Sequence, residues 1–305
     1  MGLVALILAV SVAAIGLYVF VVEPLWVLPW LEWITPNILY RVEMQKALVA
    51  LSFDDGPHAE FTPEVLEILE RYGAKATFFL IGERAELHPE LVERIWAAGH
   101  EIGNHCWRDR TVLGHSRARF EEELERTEFA MAQSKSGPLR KAGPTTAESK
   151  KKQIPNPPRG GGFGMTIEES GGASSGGRAA TAVLKDRRYT ETIERPARTR
   201  FFRAPGGVAW PWQLRLARER GYTCVLGCAY PHDPMRPPVK HIRWLVEKNL
   251  APGTIVILHD GIRDASRSVS ALPHILEEGK RRGLRFVSIG ELVDARDDEW
   301  EKERV

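Results

Sequence analysis

The strongest chemical signal in the sequence is the run Ser52-Phe53-Asp54-Asp55-Gly56-Pro57. An apolar stretch over 47–53 stops at two adjacent carboxylates and a Gly-Pro turn. Adjacent like charges repel, and such pairs are expected where a metal, a proton or both make use of them. Strand alternation sends neighbours to opposite faces, but at a strand end the turn can bring both to one rim. One carboxylate can then bind a cation while the other works as a base. The structural alternative is an Asx-turn, in which Asp caps the bend.

Downstream lies Gly103-Asn104-His105-Cys106-Trp107-Arg108-Asp109. His105 and Asp109 are four apart, so one helical turn would set them on one face. With one of the earlier aspartates they make three protein ligands and leave an open position, the arrangement of a catalytic zinc. Arg108 and Arg110 flank Asp109 and offer simple neutralisation instead. Phe202-Arg203-Ala204-Pro205-Gly206-Gly207 supplies an arginine able to hold a carboxylate bidentately. Its glycines can present N–H groups to a developing oxyanion. Two more stretches follow, Tyr230-Pro231-His232-Asp233-Pro234 and Ile255-Val256-Ile257-Leu258-His259-Asp260-Gly261. A histidine ending a buried apolar strand is well placed as a proton donor.

These residues need elements to position them. The periodicity predicts strands over 47–53, 76–81, 101–105, 200–203, 223–229, 254–259 and 285–289. Helices are predicted over 63–72, 89–98, 117–132, 210–220, 239–249 and 269–282, with Gly73, Gly99, Gly221 and Gly283 just past their ends. Seven strands alternating with helices imply a parallel α/β sheet, closed as a barrel or doubly wound. Polar chemistry then falls at five strand ends, where α/β barrels keep their catalytic groups.

The 305 residues suffice for a large core, and a net charge of +2 excludes a nucleic-acid signature. The charge is uneven. Residues 134–198 hold 13 Lys/Arg and 6 Asp/Glu, a net of +7, which leaves −5 for the rest. That stretch is rich in Gly, Ser, Pro and Lys without a period, and is expected to be a solvated, disordered insertion. Cys106, Cys224 and Cys228 make no disulfide framework. Residues 2–22 carry no charge, enough to span a bilayer. An uncleaved membrane anchor over 1–22 is expected, with a cleaved signal sequence as the alternative. Trp26, Trp30, Trp33 and Tyr40 lie in a proline-containing linker over 23–45, as in an interfacial belt. The catalytic domain is expected over 46–297.

The ordered motifs Ser-Phe-Asp-Asp-Gly-Pro, Gly-His-Glu-Ile-Gly-Asn-His, Arg-x-Pro-Gly and Ile-Val-Ile-Leu-His-Asp resemble those of the polysaccharide deacetylases of carbohydrate esterase family 4, over roughly 47–292 apart from the insertion. The resemblance implies a distorted (β/α)7 barrel that hydrolyses N-acetyl or O-acetyl groups of polysaccharides. It also implies that Asp54 is the base and that Asp55, His105 and, in place of a usual histidine, Asp109 hold the metal. Arg203 would orient the base, Gly206 would stand in the oxyanion hole, and Asp233 would tune the acid His259. Zinc is the first expectation, and the carboxylate-rich set leaves manganese and iron open. A usual tryptophan is missing near Asp233, and Val256 stands where a leucine is usual; Val256 and Tyr230 are the expected pocket residues. The expected substrate is chitin or its oligomers, with peptidoglycan as alternative, and the domain would face the cell wall or a secretory lumen, or be secreted if the leader is cleaved. The competing classes are a membrane-anchored, non-catalytic sugar-binding protein whose metal site has decayed at Asp109, and an amidase acting on a small non-sugar amide.

Overall fold

A computed structural model describes residues 25–136 and 199–303. The apolar stretch 2–22 and residues 137–198 of the insertion lie outside the described residues. No helix among the described residues is long and apolar enough to cross a membrane.

Among the described residues, eight strands form one parallel sheet: β1 (Ile38–Leu39), β2 (Leu48–Gly56), β3 (Thr77–Leu80), β4 (Glu101–Asn104), β5 (Phe201–Phe202), β6 (Thr223–Val225), β7 (Ile255–His259) and β8 (Arg285–Val287). The hydrogen-bonded order is β1-β6-β5-β4-β3-β2-β7, and β8 also pairs with β2. The sheet curls but no ladder closes it. Between β6 and β7 there is only an isolated bridge from Ala229 to Val256, and Arg41 makes an antiparallel bridge to Thr254. The expected parallel α/β architecture is present as a curled half-barrel, and among the described residues an eighth strand, β1, joins the seven expected ones. A two-residue strand such as β1 carries no periodic signal.

Every residue of β2 is buried, as expected of a parallel strand covered on both faces. Val49, Leu51 and Phe53 join Phe78, Leu80, Val256 and Leu258 in one core cluster, which also holds Val65, Leu69, Leu272 and Ile275 of helices Phe61–Tyr72 and Ser266–Arg281. Ala50 belongs to a second cluster with Phe79, Phe201, Val225 and Ile255. Alternation thus gives Ser52 and Asp54 to the inner face, along with Ile257 and His259.

The predicted helices are present, with small boundary shifts. Three more, Leu28–Ile34, Gly82–Leu87 and Ile289–Glu303, were not signalled. Helix Arg117–Ser136 runs past the predicted end at 132, and Ser134 is buried, its hydroxyl donating to the Ala130 carbonyl at 3.2 Å. The insertion's first residues therefore belong to a helix. Residues 25–45 are also more than a linker. They contribute helix Leu28–Ile34 and β1, and Tyr40 is buried rather than interfacial.

Candidate active site

The strands end at one level. Asp54 of β2 pairs in register with His259 of β7, and Leu80 of β3 with Asn104 of β4, so Asp54, His105, Arg203 and His259 all reach the same rim. They line a cavity of about 590 Å³ together with Asp55, Asp109, Gly206 and Tyr230.

Asp54 and Asp55 share this cavity because the strand is irregular between them. The β2–β3 register shifts between Asp54 and Gly56, and Asp55 takes φ +67°. This bulge turns two neighbours toward one side, as such irregularities do beside active sites. Gly261, two residues after His259, passes so close that any Cβ on it would overlap the Asp55 carbonyl. Glycine there lets the end of β7 lie against the end of β2.

Arg203 is 2% exposed and its Nη1 reaches Asp54 Oδ1 at 2.5 Å. The expected bidentate grip is absent. Nη1 also donates to Ser52 Oγ at 2.9 Å, Nε donates to the Val225 carbonyl at 3.3 Å, and the guanidinium lies 4.1 Å from the Phe79 ring centroid. Ser52 was not singled out from the sequence. Its signal is its place two residues before Asp54 on the same strand face.

His105 is buried, and its Nδ1 lies 2.7 Å from the Arg203 carbonyl oxygen. A carbonyl only accepts, so Nδ1 carries the hydrogen. Its Nε2 faces Asp55 Oδ1 at 3.3 Å. In the neutral ring these are two lone pairs pointed at each other, which requires a proton on Nε2 or a cation shared by both. Burial alone would raise the Asp55 carboxyl, but its hydrogen bond and charge interaction with His105 hold it down at about 2. Burial opposes charge on His105, and the same bond and both aspartates raise its pKa. This carboxylate–imidazole pair, with the far ring nitrogen fixed by a carbonyl, fits a divalent metal.

Asp109 borders the same cavity but does not join the pair. Cys106 has φ +64°, so the segment after His105 bends and forms no helical turn, and the expected shared face is lost. Asp109 is half exposed, 3.9 Å from Arg84 Nη2. Burial and the Asp55 charge raise its pKa. Among the described residues no three His, Cys, Asp or Glu side chains converge as a ready metal site. Arg84 was missed in the sequence because it sits in the unpredicted helix Gly82–Leu87. Its Nη1 also donates to the Asp55 and Gly261 carbonyls.

His259 Nδ1 lies 2.9 Å from Asp233 Oδ1, and its backbone N–H donates to Asp233 Oδ2 at 2.8 Å. Ser268 Oγ donates to the same Oδ2 at 2.6 Å. Burial disfavours the imidazolium, but the Asp233 charge and hydrogen bond, with the charges of Asp54 and Asp55, raise His259 to about 9. Tyr230 packs beside it, ring centroids 5.8 Å apart. Gly206 lines the cavity with φ +67°, a conformation that a side chain would strain.

Val256 is placed differently from the expectation. It is fully buried in the core between sheet and helices, and its carbonyl accepts from Ser52 Oγ. An offset of three from His259 puts it on the opposite face of β7, and Ile257 lines the cavity instead. The tryptophans in and near the motif loops lie elsewhere. Trp107 is buried under the Arg126 guanidinium, and neither Trp210 nor Trp212 lines the cavity.

Residues 41–142 match the family described as Polysaccharide deacetylase. The chain is 30% identical over 262 residues to a peptidoglycan-N-acetylglucosamine deacetylase of Bacillus cereus, covering 85% of this chain and 94% of that one. The chain belongs to the polysaccharide deacetylase family. A chitooligosaccharide deacetylase of Sinorhizobium fredii is 27% identical, covering 79% and 89% of the two chains. Among solved structures, a peptidoglycan N-acetylglucosamine deacetylase superposes with a TM-score of 0.62 at 25% identity, covering 86% of this chain and 95% of that one. A family 4 pseudoenzyme from Bacillus anthracis shares the fold at 19% identity, with a TM-score of 0.59 over 83% of this chain and 67% of that one. The deacetylase fold therefore does not by itself establish activity, and the site residues must carry that argument.

Proposed function

We propose that the protein is a metal-dependent hydrolase that removes N-acetyl groups from an N-acetylglucosamine-containing saccharide and releases acetate. One observation carries the reading. Asp54 and His259 stand in register on adjacent strands facing one cavity, and each is held by a buried group of opposite charge, Arg203 and Asp233. A base and an acid kept apart and separately tuned are what hydrolysis of an amide needs. The names of the relatives support the substrate class, peptidoglycan in one case and chitooligosaccharide in the other.

Asp55 and His105 would hold the metal, with Asp109 the remaining carboxylate on the same cavity; zinc suits the mixed set and manganese or iron suits its oxygens. When bound, such an ion acidifies water and polarises the acetyl carbonyl. Arg203 fixes one oxygen of Asp54 and so aims the carboxylate that takes the proton from attacking water. The water oxygen forms a bond to the acetyl carbon, and the Gly206 backbone N–H would meet the developing oxyanion. His259, kept protonated by Asp233, delivers its proton to the sugar nitrogen as the C–N bond breaks. The products are acetate and a free amine. Tyr230 and Ile257 close the cavity around the reacting group.

The scattered position of Asp109 favours a second reading, a sugar-binding protein without turnover. Acetate release from chitooligosaccharides and from peptidoglycan fragments, measured beside the metal content of the same preparation, separates the two. Metal-dependent acetate release is the expected result; binding without acetate or stoichiometric metal would support the second reading.

A further inference from the structure

One wall of the cavity is apolar, and of its residues the chemistry above uses only Ile257. Val27, Leu28 and Leu31, around helix Leu28–Ile34, line it together with Tyr40, Leu226 and Ile257. Five of these six side chains are aliphatic. The sixth, Tyr40, has its hydroxyl engaged with Thr35 Oγ1 at 2.8 Å. A polysaccharide lying against this wall would lose hydration from its hydroxyls and find no partner for them, which costs free energy for each group. An alkyl chain would gain by the same burial.

The opposite face of the same short helix is also apolar. Trp26, Trp30, Trp33 and Ile34 are 67%, 67%, 78% and 52% exposed. They fall within nine consecutive residues, so they form a patch rather than scattered exceptions. Glu32 is the only charged residue over 24–36, and Arg41 pairs with it at 3.2 Å. Tryptophans are enriched at the boundary between lipid and water. The chain immediately before this helix, residues 2–22, has no charged residue.

Resting on the deacetylase reading, we propose that the substrate is an N-acetylamino sugar carried on a long apolar chain, taken from a membrane surface. The helix Leu28–Ile34 would lie at that surface. Its outer tryptophans meet the lipid, and its inner leucines receive the first part of the substrate's chain while the acetamide reaches Asp54 and His259. A single element then joins the lipid boundary to the catalytic cavity.

The test compares octyl and methyl N-acetyl-β-glucosaminide as substrates of the full chain, both below any micellar concentration, with chitotetraose alongside. The expected result is a kcat/KM for the octyl glycoside at least about tenfold above that for the methyl glycoside, a discrimination ordinary for a few buried methylenes. In Leu31→Asn the octyl-to-methyl ratio should fall toward one. Val27→Asn carries the same test if Leu31→Asn does not accumulate as folded protein, and the ratio in the unaltered protein decides by itself if neither does. Equal kcat/KM for the two glycosides, with chitotetraose still deacetylated, would overturn the inference and leave the deacetylase reading standing. Acetate from none of the three would remove both.

Discussion

Asp233 accepts two hydrogen bonds from His259, one from ring Nδ1 at 2.9 Å and one from the backbone N–H at 2.8 Å. The second bond fixes the carboxylate relative to the strand that bears the histidine, so the first is aligned before any substrate arrives. Ser268 completes the arrangement from helix Ser266–Arg281.

A pH profile should expose this pairing. His259 is raised to about 9, so the acid form persists through neutrality and is lost as pH rises through that value. The raised value also makes its stability contribution present below about 6.5, the ordinary histidine value, and lost as pH climbs through about 9. In Asp233→Asn the charge that raises His259 is gone. Its alkaline limb in kcat/KM should move to lower pH, and kcat should fall by about 10²–10⁴. Initial rates of acetate release between pH 5 and 10, in roughly one-unit steps, read both effects.

Arg203 should prove structural as well as orienting. It is fully enclosed, and removing it leaves the buried Asp54 carboxylate without its partner. Arg203→Met is expected to lower unfolding free energy by about 3–5 kcal/mol, the cost of breaking a buried pair from one side. Urea denaturation followed by circular dichroism measures it. Arg203→Lys keeps the charge but not the three-way reach to Asp54, Ser52 and Val225, so it should fold yet lose rate.

The role of Asp109 is open to a direct binding measurement. If it joins Asp55 and His105, Asp109→Ala should weaken zinc binding by more than the roughly 10–100-fold that loss of a mere supporting partner costs. Competition with a chromogenic chelator gives the number. Unchanged zinc affinity would assign Asp109 to its Arg84 contact alone.

The two faces of β7 predict opposite phenotypes. Val256→Ala should cost about 1–3 kcal/mol of stability, the worth of a buried valine, with little change in substrate preference. Ile257→Ala opens the cavity and should alter KM. Thermal melts together with KM for a chitooligosaccharide distinguish them.

What the sequence disclosed depended on how local each signal was. Asp54-Asp55, Arg203 and His259 were legible because each follows apolar residues at a strand end, and His105 because it follows the short strand that ends Gly103-Asn104. Six helices were legible from their period, whereas Ile289–Glu303, at 15 residues longer than some of them, was not. Helix Leu28–Ile34 and β1 were not, since seven residues and two residues are too short for a period to show. Val256 was mistaken for a cavity residue although strand alternation from His259 already pointed to Ile257. The separation of Asp109 from His105 rests on the positive φ of Cys106, a conformation rare outside glycine that nothing in the sequence announces. Ser268 and Arg84 act through contacts between elements distant in the chain, and their types alone mark nothing.

The most direct test of the account is acetate release by zinc-loaded protein and by its Asp54→Asn variant, on the same N-acetylglucosamine oligosaccharide and under the same conditions. The account predicts catalytic acetate release by the unaltered protein and a fall of about 10²–10⁴ in kcat for the variant with its fold retained. Near-full activity in Asp54→Asn, or no acetate from the unaltered protein, would contradict it.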